Sequence, residues 1–346
     1  MRYVESRESV IRDYFNILCN DEFPEWLNDY IETNEMLKQQ YISVTCGKIY
    51  AKMFNLKRDF SSLDHSIGVA LIIWHFTHDK KETLAGLFHD IATPAFKHCV
   101  DFLNGDWMTQ ESTEDLTTYF LINSKEIIDL LNRDNIKLEE VCDYHIYPIA
   151  DNDTPKLSAD RLEYSLSNAL FVYGIDSLES IKEMYRDLEV SIDEDGVTEL
   201  GFRNIKTALR FVENTSTLSV SYRDHGTRFY MQLVADILRK ISDEGLITKS
   251  DLYRMSESKV IDLIKTSKYG DIFNTALEVE KVNTSDTEPE DMYYIHHGAK
   301  VRYINPLVNG RRLYDVSPIA KDLIDKNLSY KMDNYIYIDK SFNILK

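Results

Sequence analysis

The chain has 346 residues, 43% of them apolar, which is enough for a folded globular protein with a substantial core. Its 40 Lys and Arg residues against 58 Asp and Glu residues give a formal net charge of −18, which argues against stable polynucleotide binding, because that requires a basic surface. The charge does not exclude a small phosphorylated substrate, since a metal ion and a few local cations can override the overall field.

Helices dominate the predicted elements of the first part of the chain. Residues 5–40 have helical character, with a break at Pro24. Residues 61–64, Ser-Ser-Leu-Asp, have the form of a helix start, and the segment 67–76 that follows is apolar on nearly all sides. This pattern predicts a helix buried over its whole circumference.

Further helices are predicted over residues 81–91, ended by Pro94, and over 114–132, where apolar residues recur at helical spacing. Another amphipathic stretch runs from Asp160 through Leu170. The scarcity of glycine (12) and proline (7) agrees with long helices rather than many short strands.

The pattern changes near residues 188–200, where apolar and polar residues alternate around Asp195-Gly196. This predicts a β-hairpin with a tight turn. Helical periodicity returns over 204–265, and the tail carries one predicted helix at 317–328. Short strands are predicted in the tail at 293–295, 301–304 and 335–338.

Other features of the chain bear on its location. The four cysteines show no paired metal-binding spacing, and no apolar run reaches the roughly 18 residues that a transmembrane helix needs. The first ten residues are charged and lack the apolar core of a signal peptide. We therefore expect a cytoplasmic protein with free thiols and no membrane association.

The strongest chemical signal is His89-Asp90, which lies in the apolar segment LAGLFHDIATP. Such residues are costly to bury unless they are paired with each other or coordinate a metal. His65 begins the preceding buried helix, and Asp160 begins a later one. Two imidazoles and two carboxylates suit Mn, Fe, Zn, Ni or Mg better than a thiolate metal, and such an ion suits phosphoester hydrolysis.

The order of these residues resembles the H…HD…D pattern of the HD superfamily of metal-dependent phosphohydrolases. Most of 40–270 is similar to its deoxynucleoside-triphosphate triphosphohydrolase branch, and the remainder is more loosely so. The segments that carry this second resemblance are HSIGV at 65–69, LFHDIATPAFKHCVD at 87–101 and ADRLEY at 159–164.

The resemblance implies a mainly α fold: an HD-domain helical bundle with a small β-hairpin. The phosphohydrolase domain would span 1–280, and a small α+β appendage packed on it would span 281–346. The implied activity is metal-dependent hydrolysis of a phosphoester or phosphoanhydride bond of a nucleotide, such as a dNTP. One divalent ion would be held by His65, His89, Asp90 and Asp160. The branch commonly assembles, which leaves a homo-oligomer open.

Other site residues follow from the same resemblance. His98 and Asp101 match residues that line the catalytic pocket and orient a catalytic histidine and water. Arg161 matches a basic residue that contacts phosphate, and Tyr164 matches an aromatic residue that lies against the sugar. Asn168 stands where the family often has an Asp that hydrogen-bonds the 3′-OH, and an amide can also donate or accept there.

The sequence departs from the family at three positions. Thr93 and Thr109 stand where that branch has histidines, and Ser62 stands where it has a phosphate-binding Arg. General acid–base catalysis typically raises the rate about 10²–10⁴-fold. Loss of the two histidines would therefore shift the reaction to a more reactive substrate or abolish turnover. Glu111 or Glu114 is a candidate replacement base. The alternative is a catalytically weakened nucleotide-binding or scaffolding module.

The sequence leaves two points open: the number of metal ions and the identity of the basic residues that contact phosphate. His145 is a candidate ligand for a second metal, but the shortage of further histidines between Asp90 and Asp160 favours a mononuclear site. Several other basic residues are candidates for phosphate contacts. They are Lys97, Arg203, Arg210, Arg223 and Arg228.

Overall fold

The computed structural model describes residues 1–110, 116–339, 342 and 345, and helices dominate this part of the chain. The mainly α prediction is confirmed. None of the helices within these ranges combines the length and the apolar character needed to cross a lipid bilayer. The α-helices are α1 Tyr3–Ser6, α2 Ser9–Leu18, α3 Leu27–Ile31, α4 Asn34–Leu37, α5 Ser62–Thr77, α6 Lys80–Phe88, α7 His98–Leu103, α8 Thr117–Asn123, α9 Lys125–Arg133, α10 Ala159–Ser167, α11 Leu178–Arg186, α12 Ile205–Ser221, α13 His225–Asp243, α14 Lys249–Leu252, α15 Glu257–Thr266, α16 Gly270–Glu278, α17 Leu313–Val316 and α18 Pro318–Leu328.

Helix α5 begins where the sequence predicts it. The Ser61 hydroxyl accepts a hydrogen bond from the Asp64 amide at 3.0 Å, and the Asp64 carboxylate accepts one from the Ser61 amide at 3.2 Å. This reciprocal pair is a capping box. Every residue from Ser62 to Ile73 is buried, as the apolar pattern predicts. Helix α5 packs against both α6 and α10 and so positions them around itself.

Helix α6 begins one residue before the predicted start and ends at Phe88, three residues before the predicted end. The chain then reverses around Pro94, where the backbone of Phe96 and Lys97 takes positive φ angles of 66° and 40°. Non-glycine residues seldom adopt such angles outside turns. The reversal lets α7 begin at His98, immediately after the turn.

The helical spacing predicted over 114–132 is realised as two helices rather than one. Ser124 separates α8 from α9, and its hydroxyl accepts a hydrogen bond from the Ile127 amide at 3.4 Å. Serine favours such capping positions because its hydroxyl competes for backbone hydrogen bonds. The apolar periodicity therefore continues across a break that a local side chain creates.

The predicted hairpin is confirmed as β1 Leu188–Ile192 and β2 Thr198–Phe202, and Gly196 supplies a φ of 81° in its turn. Strand β2 also pairs in parallel with β5 Leu307–Val308, which pairs with β6 Arg311–Arg312. A sheet thus joins the hairpin to the C-terminal segment. A second sheet has the order β3-β7-β4, formed by Asn283–Ser285, Tyr335–Tyr337 and Tyr294–Ile295.

The strand predicted at 301–304 is wrong. The carbonyl of Arg302 accepts hydrogen bonds from the side chains of Ser219 and Asn327, and the Asn305 amide donates to the Pro155 carbonyl at 2.8 Å. Because these partners are scattered side chains and a loop carbonyl, the segment does not form a ladder with a neighbouring strand. The β5 strand begins further along, at Leu307.

Two apolar clusters form the core. The first is built mainly from α2, α5, α6, α9, α10, α11 and α12, and it includes Ile304, Leu313 and Ile324 of the C-terminal segment. The second is built from α7, α13, α15 and α16 together with strands β4 and β7. The C-terminal segment therefore packs against both clusters, and the division between 1–280 and 281–346 stays a prediction.

Candidate active site

Four polar residues meet where three helices end. His65 lies in the first turn of α5 and Asp160 in the first turn of α10, while His89 and Asp90 follow the last residue of α6. Because α5 packs against both of the other helices, these ends converge. The structure therefore brings together all four residues that the H…HD…D resemblance implies as ligands.

The donor atoms of this group lie close together. The two Nε2 atoms of His65 and His89 are 3.2 Å apart, and Asp160 Oδ1 lies 3.2 Å from the first and 3.6 Å from the second. Asp90 Oδ2 is slightly further, at 4.0 and 3.8 Å from the same nitrogens. Donors that share an ion at about 2.1 Å lie about 3.0–3.4 Å from one another. Two of the three separations among the nearer atoms fall in this range and the third, at 3.6 Å, is slightly longer, so these atoms are placed to hold one metal ion.

The outer nitrogens of both imidazoles support the same interpretation. His89 Nδ1 donates to the Gly86 carbonyl at 2.7 Å, and His65 Nδ1 lies 2.5 Å from Glu163 Oε2. With Nδ1 donating, the neutral ring carries its lone pair on Nε2. Two such lone pairs facing each other repel unless a proton or a metal cation lies between them, and a metal ion would take the place of that proton.

Sequence reasoning missed Glu163. This buried carboxylate also accepts hydrogen bonds from Tyr14 at 3.0 Å and from Ser167 at 3.2 Å. A Cβ at Gly68 would lie 2.7 Å from Glu163 Cγ, so that glycine leaves the space the carboxylate occupies. The sequence did hold a signal for this residue. Glu163 lies three residues after Asp160, and Gly68 lies three residues after His65, so each lies on the same helix face as a metal-ligand candidate.

The site is strongly negative. Burial lowers the pKa of His65, but the carboxylates of Glu163 and Asp160 outweigh it and raise the value to about 10. Burial raises the pKa of Asp160, yet the neighbouring His65 and His89 bring it down to about 2. The field that stabilises a proton on His65 also attracts a divalent cation, and metal binding would displace that proton.

Lys97 pairs with the fourth candidate ligand. Its ammonium lies 2.8 Å from Asp90 Oδ2. Burial raises the pKa of Asp90, but Lys97 and the two imidazoles hold it well below its usual range. Lys97 lines the pocket, as a phosphate contact would require, but its charge is already engaged by a carboxylate.

His98 and Asp101 form the contact that their spacing predicts. His98 Nδ1 lies 2.9 Å from Asp101 Oδ2, and Asp101 is fully buried while His98 lines the pocket. Burial lowers the pKa of His98, and Asp101 opposes this to a smaller extent. The pair therefore presents an oriented imidazole to the pocket, and its catalytic role stays a prediction.

The ligand residues lie in a cavity of about 270 Å³. Cations and tyrosines form much of the rest of its wall, and sequence reasoning assigned no pocket role to most of them. These lining residues are Lys48, Lys97, Arg161, Lys300, Arg302, Tyr144, Tyr164, Tyr173, Tyr222 and Tyr303.

Comparison with known proteins agrees with this geometry. No family model matches the sequence. The metal-dependent phosphohydrolase cns2 of Cordyceps militaris is 19% identical over 271 residues, which is 75% of this chain and 74% of that protein. An uncharacterized protein of Bacillus subtilis (strain 168), YdhJ, is 23% identical over 268 residues, covering 74% and 76%.

Two solved structures share the fold. A phosphohydrolase from Bacteroides thetaiotaomicron VPI-5482 superposes with a TM-score of 0.61 at 13% identity, covering 92% of this chain and 97% of that one. A hypothetical protein from Aquifex aeolicus gives 0.55 at 18% identity, covering 92% and 93%. The chain therefore shares its fold with these structures and is similar in sequence to a metal-dependent phosphohydrolase. The triphosphohydrolase branch stays a prediction.

The substrate residues that the resemblance implies, Arg161, Tyr164 and Asn168, all line the pocket. The guanidinium of Arg161 is held by the loop that precedes α10. It donates to Asn152 Oδ1 at 2.6 Å and lies 3.4 Å from Asp151 Oδ1. Asn168 donates to the Tyr164 carbonyl at 2.7 Å. Much of the hydrogen-bonding capacity of Arg161 is therefore used in bracing the loop before α10.

The three departures from the family also have defined places. Thr93 lines the pocket, whereas Ser62 is buried outside it. Thr109 donates to Asp106. The candidate replacement bases Glu111 and Glu114 lie outside the described residues.

The other candidates from the sequence lie in varied places. His145 lies 2.9 Å from Asp143 and 3.6 Å from Asp151, at the pocket rim rather than within the close donor group. Arg203 and Arg210 are exposed and pair with Glu189 and with the buried carboxylate of Asp176. Arg223 and Arg228 are fully buried and donate to backbone carbonyls near the C-terminal segment, and none of these four arginines lines the pocket.

Proposed function

We propose that this chain hydrolyses a phosphoester or phosphoanhydride bond of a nucleotide, with a single divalent ion held by His65, His89, Asp90 and Asp160. One observation carries the proposal. The Nε2 atoms of two imidazoles and a carboxylate oxygen lie within 3.6 Å of one another. They do so at the wall of a cavity of about 270 Å³ that cations and tyrosines also line.

The ion, when bound, supplies Lewis-acid polarisation of the phosphoryl group and lowers the pKa of water. The protein residues do the remaining work. Glu163 and the Gly86 carbonyl hold the two imidazoles with Nε2 directed at the site, and Lys97 keeps Asp90 ionised. Such outer contacts fix ligand orientation and tune affinity.

His98 is the proposed proton acceptor for the attacking water. With Nδ1 directed at Asp101, its Nε2 remains available to receive a proton. As the water oxygen bonds to phosphorus, the phosphorus–oxygen bond to the leaving group breaks and the proton passes to His98. Arg161 and the tyrosine at 164 lie in the same pocket to bind phosphate and sugar.

The tyrosines of the pocket wall favour a nucleotide as substrate over a small phosphoester that has no nucleobase. Tyr164 and Tyr222 have ring centroids 6.5 Å apart, and Tyr173 lies 6.2 Å from Tyr222. Aromatic faces of this kind stack favourably on nucleobases and sugars. A deoxynucleoside triphosphate is the substrate that the sequence resemblance favours.

The alternative is a nucleotide-binding or scaffolding module with little turnover. Thr93 favours it, because this residue lines the pocket where the resembling branch has a histidine. The two functions are separated by incubating the protein with a pooled nucleotide library and Mn²⁺ or Mg²⁺, followed by mass spectrometry of the products. Metal-dependent release of phosphate, pyrophosphate or triphosphate supports the enzyme. Binding without product supports the module.

A further inference from the structure

Two cations of the pocket lack a carboxylate partner in the described part of the chain. They are Lys48 and Arg302, which we call the cation wall. Two neighbouring cations differ, since Lys97 pairs with Asp90 at 2.8 Å and Arg161 lies 3.4 Å from Asp151. The cation wall therefore carries positive charge that the folded protein leaves available.

Lys48 is only 5% exposed, yet its ammonium makes one hydrogen bond among the described residues, to the Tyr173 hydroxyl at 3.2 Å. An ammonium has three donors. The ring of Phe54 lies 5.4 Å from the Nζ atom and contributes a cation–π contact. Burying a charge without an anionic partner is costly, so an anion that enters the pocket would relieve a cost already present.

The backbone holds Lys48 in this position. The preceding Gly47 has a φ of 78°, and a Cβ there would lie 2.5 Å from the Phe96 ring. Its carbonyl accepts a hydrogen bond from the buried Tyr230 hydroxyl at 2.9 Å. Because both the conformation and the space require glycine, the turn is fixed, and it directs the next side chain into the pocket.

Arg302 comes from the other end of the sequence. Its carbonyl accepts hydrogen bonds from Ser219 and from Asn327, which pins the backbone to α12 and α18. Its guanidinium has five N–H donors, and one of them donates to Gln110 Oε1 at 2.8 Å. The segment is thus fixed, while most of the guanidinium donors have no acceptor among the residues that the structure describes.

We propose that Lys48 and Arg302 form a second anion subsite, so that the preferred substrate carries a phosphate group besides the one that is hydrolysed. This inference rests on the proposed function for the position of the cleaved group. Guanidinium binds phosphate in a bidentate manner, and a buried ammonium acts as a point charge. Nucleotides with two or more phosphate groups are therefore the substrate class. The second phosphate is either part of a polyphosphate chain or attached elsewhere on the sugar.

The test measures binding rather than turnover. Isothermal titration calorimetry, with the protein kept metal-free by EDTA, gives Kd for nucleoside 5′-monophosphates, 5′-triphosphates and 3′,5′-bisphosphates of adenine and thymine. We expect the parent to prefer nucleotides with additional phosphate. The preference is measured as the Kd of the monophosphate divided by the Kd of the nucleotide with additional phosphate. Lys48→Met and Arg302→Gln should each lower this ratio by about tenfold.

A matched control is Lys206→Met, which removes an exposed lysine from α12 and should keep the parental ratios. Thermal melting checks the fold of each variant, and the partly exposed Arg302 provides a test if the Lys48 variant does not fold. If the variants lose only the preference for the triphosphate, the subsite binds a polyphosphate chain. If they lose only the preference for the bisphosphate, it binds a separate phosphate on the sugar.

Parental ratios in both variants would overturn the subsite, as would a parent protein with no preference for additional phosphate in either base series. Hydrolysis of the same nucleotides with Mn²⁺ is assayed separately. If no nucleotide is hydrolysed but the ratios depend on Lys48 and Arg302, the proposed function fails while the subsite remains.

Discussion

The two functional parts of the pocket differ in how they are held. At the ligand end, formed by His65, His89, Asp90 and Asp160, the Nδ1 atom of each imidazole has a partner before any ligand arrives. Glu163 fixes one imidazole and the Gly86 carbonyl the other. At the cation wall, by contrast, the backbone is fixed and the charged groups retain donors that no described residue uses.

This difference separates two tasks. A metal ion needs donors at defined separations with the correct tautomer, so the ligand end must be organised in advance. Recognition of an anionic substrate needs charge that is not neutralised by the protein itself, so the wall must leave donors available. Substitutions in the ligand end and in the cation wall test whether the two parts can be disrupted separately.

The largest expected effect is at the ligand end. His89→Ala and Asp160→Ala each remove a donor atom from the close group, so metal content should fall from about one ion per chain to near background. Metal-dependent hydrolysis should disappear with it. Elemental analysis of the purified variants measures the first effect, and product mass spectrometry the second.

His296→Ala is the matched control, because that histidine is exposed in the C-terminal segment. Parental metal content in both ligand variants would contradict the assignment. The same analysis tests the metal count: about two ions per parent chain, with one lost in His145→Ala, would show a dinuclear site instead. Circular dichroism establishes that each variant is folded, since metal binding and folding can be coupled.

Glu163→Gln tests the orientation of His65. The amide keeps the size of the side chain but weakens its acceptance from Nδ1, so metal affinity should fall by about 10–100-fold. Titration of metal into the stripped protein measures this. Glu179→Gln, on the exposed face of α11, serves as the control. An unchanged metal Kd in the first variant would mean that the carboxylate has only a packing role.

His98→Ala should reduce turnover by about tenfold or more while metal content stays parental, because it removes the proposed proton acceptor. Burial lowers the pKa of His98, so the functional, deprotonated imidazole should persist below the ordinary value of about 6.5. The parental kcat/KM should therefore stay on its plateau as pH falls through 6.5 and decline only at lower pH. A decline centred at or above about 6.5 would contradict this prediction.

The smallest effect concerns the support of the cation wall. Ser219 bonds the Arg302 carbonyl and also accepts from the buried Arg223 at 2.5 Å. Ser219→Ala leaves buried groups unsatisfied, so the free energy of unfolding should fall by about 1–3 kcal/mol. The preference for additional phosphate should weaken as well. Ser221→Ala, two residues along α12, is the control, and equal stability of the two variants in urea would argue against the contact.

Local signals in the sequence were sufficient to predict helix α5, which carries His65, and the β-hairpin. The capping pattern at residues 61–64 and the apolar run after it predicted the start and burial of α5. The Asp195-Gly196 pair predicted the hairpin turn. These features depend on neighbours a few residues away, and capping and turn formation are themselves local.

The same reasoning failed where local patterns have more than one realisation. Residues 301–304 alternate in the way a strand does, yet the Arg302 carbonyl accepts hydrogen bonds from the side chains of Ser219 and Asn327. The helical spacing over 114–132 did not reveal that Ser124 divides it. In both cases a side chain satisfies backbone groups in a way that hydrophobic periodicity does not record.

The sequence by itself therefore determined the helical class, the hairpin and the four polar residues at helix ends. Tertiary structure decided that Glu163 contacts His65, and that Lys48 and Arg302 line the same pocket. The physical reason is the range of the interactions. Helix starts and turns are set within a few residues, whereas these contacts join segments far apart in the chain and exist only once the helices have packed.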